Sequence, residues 1–240
     1  HRGVWWGALE THGRIAHGSM PFLGDCAVRH MGAVIAEMEA SLYPALAARQ
    51  TEMPVVPEGA RQSTLNINSL HGGQSEGAAD FTGLPSPCVP DSARMVLDRR
   101  FLMEENLADV EGEIRDLLEN LRKTRPNFRY DLREMHHVLP SMTDQKAPVV
   151  TSVASAIGAV LGRAPDYVVS PGTYDQKHID RIGRMKNCIA YGPGILDLAH
   201  QPDEYVGVDD MIDSAKVMGL SLAHLLAGET LDDNSGPART

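Results

Sequence analysis

Hydrophobic and polar positions follow two periods along this 240-residue chain, and the order in which they alternate predicts its architecture. Val4 to Thr11 carries two Trp, a Val and a Leu with few breakers, the composition of a strand. Gly13, Gly18, Pro21 and Gly24 then cut the pattern into a turn-rich segment. Val28, Met31, Ile35, Met38 and Leu42 recur at spacings of three and four, the apolar stripe of a helix closed off by Pro44 and the Pro54–Pro57 stretch. Leu65 and Ile67 alternate with Asn66 and Asn68, which predicts a half-buried strand. His71 to Pro90 holds four Gly and three Pro, and is expected to be a functional or mobile loop. Ala93 to Phe101 reads as a second strong strand. Leu107, Val110, Ile114, Leu117 and Leu121 form the next helix stripe, with Glu104, Glu105 and Asp109 at its dipole-positive start. Phe128, Tyr130 and Leu132 alternate with Arg129, Asp131 and Arg133 in a further strand. The order β-α-β-β-α-β predicts a four-stranded antiparallel sheet with two helices on one face, a ferredoxin-like unit ending near residue 140.

The second half has a different rhythm. Val149 to Leu161 is an Ala-rich apolar helix, and Asp175 to Ile182 a shorter one. Tyr167 to Ser170 and Cys188 to Tyr191 are expected to be short buried strands. Met211, Ala215, Met218, Leu222 and Leu225 stripe a long closing helix whose first turn carries Asp209 and Asp210. Short apolar strands between helices predict an α/β layer covered on both faces, with too few strands to complete a sheet. The expected division is residues 1–140 as one domain, 141–228 as part of a second, and 229–240 as a polar, disordered tail.

Composition narrows the class. At 42% apolar and 22% charged residues the chain is neither disordered nor fibrous, and no run approaches the roughly 18–20 apolar residues of a spanning helix. A net charge of −10 argues against nucleic acid or an anionic membrane as the main partner. Three cysteines without CxxC spacing fit a reducing compartment, and no targeting segment is visible at His1, so a cytoplasmic location is expected.

No HExxH, paired CxxC, GxSxG or P-loop is present, so any site must be assembled from scattered residues. His17 follows the first strand beside Gly18 and Ser19 and is either a ligand-meeting group or an ordinary loop residue. Strand alternation puts Arg99 on the apolar face of Met95, Leu97 and Phe101, where it needs an anionic partner. That partner is either a structural carboxylate or a substrate carboxylate. Gly172-Thr173-Tyr174-Asp175 and Gly192-Pro193-Gly194, the latter followed by His200, occupy loops of the kind that border a ligand crevice in open α/β sheets. His200, with Asp203 and Glu204 close behind, is a candidate metal ligand or a surface histidine. His178-Ile-Asp180 has the letters of a metal pair, but on a helix the two side chains point to different faces. The Glu104-Glu105 pair is explained by the helix start rather than by acid–base catalysis.

Taken together, ETHGRIAHGSMPFLGDCAV, TLNINSLHGG, VPDSARMVLDRRFLMEE, SPGTYDQKHI and YGPGILDLAHQPDEYVGVDDMIDSAKVM resemble, in order, segments of the M20 metallopeptidase family. This is the group of acetylornithine deacetylases and succinyl-diaminopimelate desuccinylases. The resemblance implies a ferredoxin-like lid that mediates homodimerisation, followed by the C-terminal portion of a zinc-hydrolase α/β domain. It implies hydrolysis of an N-acyl or N-formyl amino-acid-like substrate by a metal-bound hydroxide, with two zinc ions (or cobalt or manganese) and a Glu base. An M20-type dipeptidase or carboxypeptidase and a non-catalytic dimerisation module are the alternatives. By the same resemblance His17 matches the lid histidine that reaches a neighbouring subunit's active site and stabilises the oxyanion. Arg99 matches the arginine that holds a substrate carboxylate, and Gly172, Thr173 and Asp175 the substrate-proximal loop, while His200 matches a zinc ligand. Lys177 and His178 stand where many members have Arg-Phe, and Cys88 near a position often held by Asn. The family's other metal ligands lie upstream of the lid, which implies that this chain is a C-terminal part unable to assemble two metals alone.

Overall fold

The first stretch of alternation becomes β1, Gly3–His12, and it is the strand on which the sheet is centred. In the computed structural model, residues 1–73 and 87–227 are described. The expected loop interior at 74–86 and the expected tail lie outside the described residues. The chain divides into two units, His1–Pro140 with Ser170–Thr173, and Ser141–Val169 with Tyr174–Thr240.

In the first unit β1 pairs antiparallel with both β3, Ser92–Phe101, and β4, Arg129–Val138. β2, Thr64–Gly72, pairs antiparallel with β3, giving the order β2-β3-β1-β4. That is the four-stranded ferredoxin-like sheet expected from the sequence. β2 takes in His71 and Gly72, which the glycine and proline content had assigned to the loop. The ladder with β3 outweighs that composition because Gly72 still finds Ala93 as its partner.

One face of the sheet is covered by helices. Trp5 and Leu9 of β1 and Met95, Leu97 and Phe101 of β3 are buried with α1, Ala27–Glu37, and α3, Leu107–Thr124. Met31 and Val34 supply the stripe of α1, and Val110, Ile114, Leu117 and Leu118 that of α3. Each such side chain stabilises the fold by about 1.5–3 kcal/mol relative to exposure. Gly7 is required at the centre, because a Cβ there would lie 2.1 Å from the Trp5 ring. α3 starts on Asn106, whose Oδ1 accepts the Asp109 amide at 2.9 Å. Pro44 does not end the first helix. Met38–Leu42 widen into a π turn and the chain continues helically as α2, Tyr43–Ala47. The wider turn removes the tight i−4 contact that makes proline a helix breaker.

Glu105 does not serve the α3 dipole. It turns inward before the helix and ends on the Arg99 guanidinium at 2.6 Å, on the Leu102 amide at 2.7 Å and on the Ser63 hydroxyl. Arg49 joins Glu105 at 3.1 Å and also contacts Glu113. The second unit holds α4, Pro148–Leu161, α5, Gln176–Arg181, and α6, Val208–Ala227, as the periodicity indicates. The strands expected at 167–170 and 188–191 do not form, and Tyr167 and Val168 are exposed. A strand needs a ladder partner for its backbone groups, and no strand of this unit offers one among the described residues. Its core is small, with Ala156, Ile157 and Val217 buried, while Val208, Met211, Leu222 and Leu226 of α6 stand exposed.

Removing the Glu105 carboxylate leaves a buried guanidinium unmatched. Glu105→Ala is expected to lower unfolding free energy by roughly 3–5 kcal/mol in denaturant titrations, and Arg99→Met with Glu105→Gln by less than half of that. Burial pushes the Glu105 carboxyl up, but the bonds from Ser63, Leu102 and Arg99 outweigh it and hold it below the usual carboxylate range. Its stabilisation is therefore complete above about pH 4.3 and lost as pH falls through the depressed folded value. Glu105→Gln is expected to make acid unfolding shallower; an unchanged acid limb contradicts this assignment.

Candidate functional site

His17 is carried by the segment that leaves β1, and backbone bonds fix that segment from two sides. At its base Arg14 and Asp25 exchange both amide–carbonyl bonds at 2.8 Å, and the Gly13 amide donates to Asp91 O at 2.8 Å. Further out Val89 donates to Ala16 O at 2.7 Å and Gly18 to Pro87 O at 2.5 Å, which makes His17 and Cys88 an antiparallel bridge pair. The bonds come from the flanking residues, so this is the pair type whose Cα atoms stand about 4.5 Å apart with side chains on one face. Gly24 is needed where the segment returns, because a Cβ there would lie 2.9 Å from Arg14 O and from the Ala16 Cβ.

The His17 ring is exposed and oriented by its own loop. Nδ1 accepts the Ser19 amide at 3.1 Å and lies 2.8 Å from the Ser19 hydroxyl. An amide can only donate, so Nδ1 is the acceptor nitrogen and in the neutral ring the proton sits on Nε2. The result is an outward-facing N–H donor flanked by the exposed apolar side chains Ile15, Met20, Phe22 and Leu23, with Phe22 at 78% exposure. Ser19 was not singled out in the sequence; its signal is the i+2 spacing of a hydroxyl residue after a histidine.

Arg99 does not present its guanidinium to a ligand. The side chain is fully buried on the helix face of β3, bonded to Glu105 at 2.6 Å and to the Arg100 carbonyl at 2.6 Å. Of the two anionic partners left open by the sequence, the structure supplies the internal carboxylate. The guanidinium is 0% exposed and turned to Glu105 rather than to the protein surface.

The remaining candidates are dispersed along the chain. Gly172 and Thr173 are half-buried at the bend before α5, where the Gly172 amide donates to Ser170 Oγ at 3.1 Å. Asp175 is exposed at the start of α5 and lies 3.6 Å from Lys177 Nζ. His178 is exposed while Asp180 is buried against Ser141 and Lys186, so the two do not share a face. Lys186 and the Ser141 hydroxyl hold the Asp180 carboxyl below its ordinary range. Gly192 and Gly194 border a cleft of about 390 Å³ that Tyr191, Arg163, Asp210 and Ser214 also line.

His200 is exposed at a left-handed turn (φ 63°), and its amide donates to Glu204 Oε2 at 3.0 Å. The nearby carboxylate is thus engaged with backbone rather than poised beside the imidazole. Among the described residues no group of three or more His, Cys, Asp or Glu side chains is arranged to hold a metal ion. A two-metal centre needs more donors than that, so these residues do not fit one by themselves. No helix among the described residues is long and apolar enough to cross a membrane.

Residues 1–125 match the M20 peptidase dimerisation domain. The chain is 24% identical over 230 residues to the acetylornithine deacetylase of Myxococcus xanthus, a match covering 95% of this chain and 54% of that enzyme. Among solved structures, human carnosine dipeptidase 1 superposes with a TM-score of 0.67 at 16% identity, over 94% of this chain and 55% of that one. An M20 family metallo-carboxypeptidase from Sulfolobus solfataricus gives 0.61 at 16% identity, over 92% and 58%. These superpositions show the fold, and the chain spans about half the length of the curated relatives it matches. With the match to the dimerisation domain running from His1 through β1, β2, β3 and α3, the chain belongs to the M20 peptidase family.

Proposed function

We propose that this chain is the lid and adjoining catalytic portion of a zinc-dependent amidohydrolase. It acts as a cytoplasmic homodimer joined through the lid and removes an acyl group, such as acetyl or formyl, from an N-acyl amino-acid-like substrate. The observation that carries the reading is the Nε2–H of His17, outward-facing and tautomerically fixed by Ser19. Amide hydrolysis places negative charge on the carbonyl oxygen, and a donor already aimed at that point stabilises the charge without reorganising. Ser19 keeps the proton on the nitrogen that donates. The name of the Myxococcus relative, acetylornithine deacetylase, supports the substrate class.

In this reading Gly172, Thr173 and Asp175 contact the substrate, and His200 is one donor to the zinc site. The other donors come from outside the described residues, in the half of the relatives' length that this chain does not span. The apolar side chains left exposed on α6 are what a missing packed layer would cover. The three cysteines are free and suit a reducing compartment.

The test uses the full-length protein against a panel of N-acyl amino acids and dipeptides. His17→Ala is expected to lower kcat by about 10²–10³-fold, with KM moving far less. Turnover of dipeptides alone would move the assignment to the peptidase branch, and absence of hydrolysis together with intact dimers would favour a binding module. The 240-residue chain itself is expected to take up no pair of tightly bound zinc ions in a metal titration. Two such ions per chain would contradict the donor count.

A further inference from the structure

We propose that His30 is a positioning residue that holds the His17 loop in place through Asp25, an inference that rests on the oxyanion-donor role given to His17 above. His30 lies on α1 and is 2% exposed, so both ring nitrogens must find partners inside the protein. Nδ1 accepts a bond from Arg125 Nε at 2.8 Å. A guanidinium only donates, so the His30 proton is on Nε2, which faces the Asp25 carboxylate at 2.9 and 3.0 Å. Phe128 stands edge-on to the ring at 5.5 Å and fixes its plane.

Both ends of this relay are tied down. Arg125 follows α3, its amide donating to Leu121 O at 2.8 Å and its Nη2 to the Arg29 carbonyl at 3.1 Å. Asp25 exchanges two backbone bonds with Arg14, three residues before His17. The sequence of contacts therefore runs from the end of α3 through Arg125, His30 and Asp25 into the base of the loop that aims the Nε2–H donor. Its polarity is set throughout, with a cation donating at one end and an anion accepting at the other. Leucine at position 30 offers neither bond, whereas glutamine offers a carbonyl to Arg125 and an N–H to Asp25.

The test reads both placement and catalysis in the full-length protein. His30→Leu is expected to speed amide hydrogen exchange in peptides spanning 13–26 and to lower kcat about tenfold, with KM nearly unchanged. In a His17→Ala background the same substitution is expected to change kcat by less than about twofold, because the group it positions is gone. His30→Gln is expected to recover most of the rate, while Val34→Ala, a loss of core packing on the same helix, lowers stability without the kcat effect. Should His30→Leu fail to fold, Asp25→Ala removes the same anchor and leaves the backbone pair with Arg14 in place. Unchanged exchange over 13–26, equal rates for the Leu and Gln variants, or a full tenfold loss persisting beside His17→Ala would overturn the proposal. If His17→Ala leaves kcat at the wild-type value, the oxyanion role falls and the catalytic half of this proposal with it; faster exchange in His30→Leu identifies that outcome as a failure of the role, not of the anchor.

Discussion

A guanidinium on the core face of a sheet must be met by a carboxylate, and much of the first unit is arranged around meeting that of Arg99. The side chain points from β3 into the space between sheet and helices, where it is fully buried. Glu105 reaches it only because the chain turns back between Phe101 and the start of α3. The same carboxylate takes the Leu102 amide and the Ser63 hydroxyl, so the turn and the entry to β2 are fixed by one anion. Arg49 and Glu113 complete a group of two cations and two anions. Such a cluster contributes less net stability than an apolar core of equal volume, yet losing one member is costly. It therefore enforces one relative placement of α2, β2, β3 and α3.

That placement reaches His17 by way of the strand ends. β1 leads out into residues 13–18 and β3 is entered through 87–91, and the two stretches are bonded to one another as continuations of the β1–β3 pairing. His17 is thus presented by a short ladder rather than by a free loop. Ser19 then decides which ring nitrogen bears the proton. Fold, placement and chemistry are successive consequences of the same sheet.

Much of the first unit was legible in the sequence because its signals are local. Period-two and period-3.6 stripes located four strands and the helices that cover them, with Asp109 marking the start of the second helix. The ion-pair hub was not legible in full. Arg99 announced its need for an anion, but Glu105 sits where a helix-start carboxylate is ordinary, and only the tertiary structure shows it turned inward. The relay was hidden for another reason, since Asp25, His30 and Arg125 come together across about 95 residues. In the second unit the helices were legible, but the two apolar runs read as strands stayed irregular, because an apolar run becomes a strand only when a neighbour supplies its ladder. Ser141 bonding to Asp180 shows the same dependence on distant sequence.

The role proposed for His17 is to offer Nε2–H to the oxygen that becomes negative during amide hydrolysis. The most direct measurement is a crystal structure of the full-length protein bound to a phosphinate analogue of the tetrahedral intermediate. A phosphinate oxygen is expected within about 2.7–3.1 Å of His17 Nε2, with Nδ1 still accepting from Ser19. An analogue bound with His17 remote from it, or contacted through Nδ1, would contradict that role.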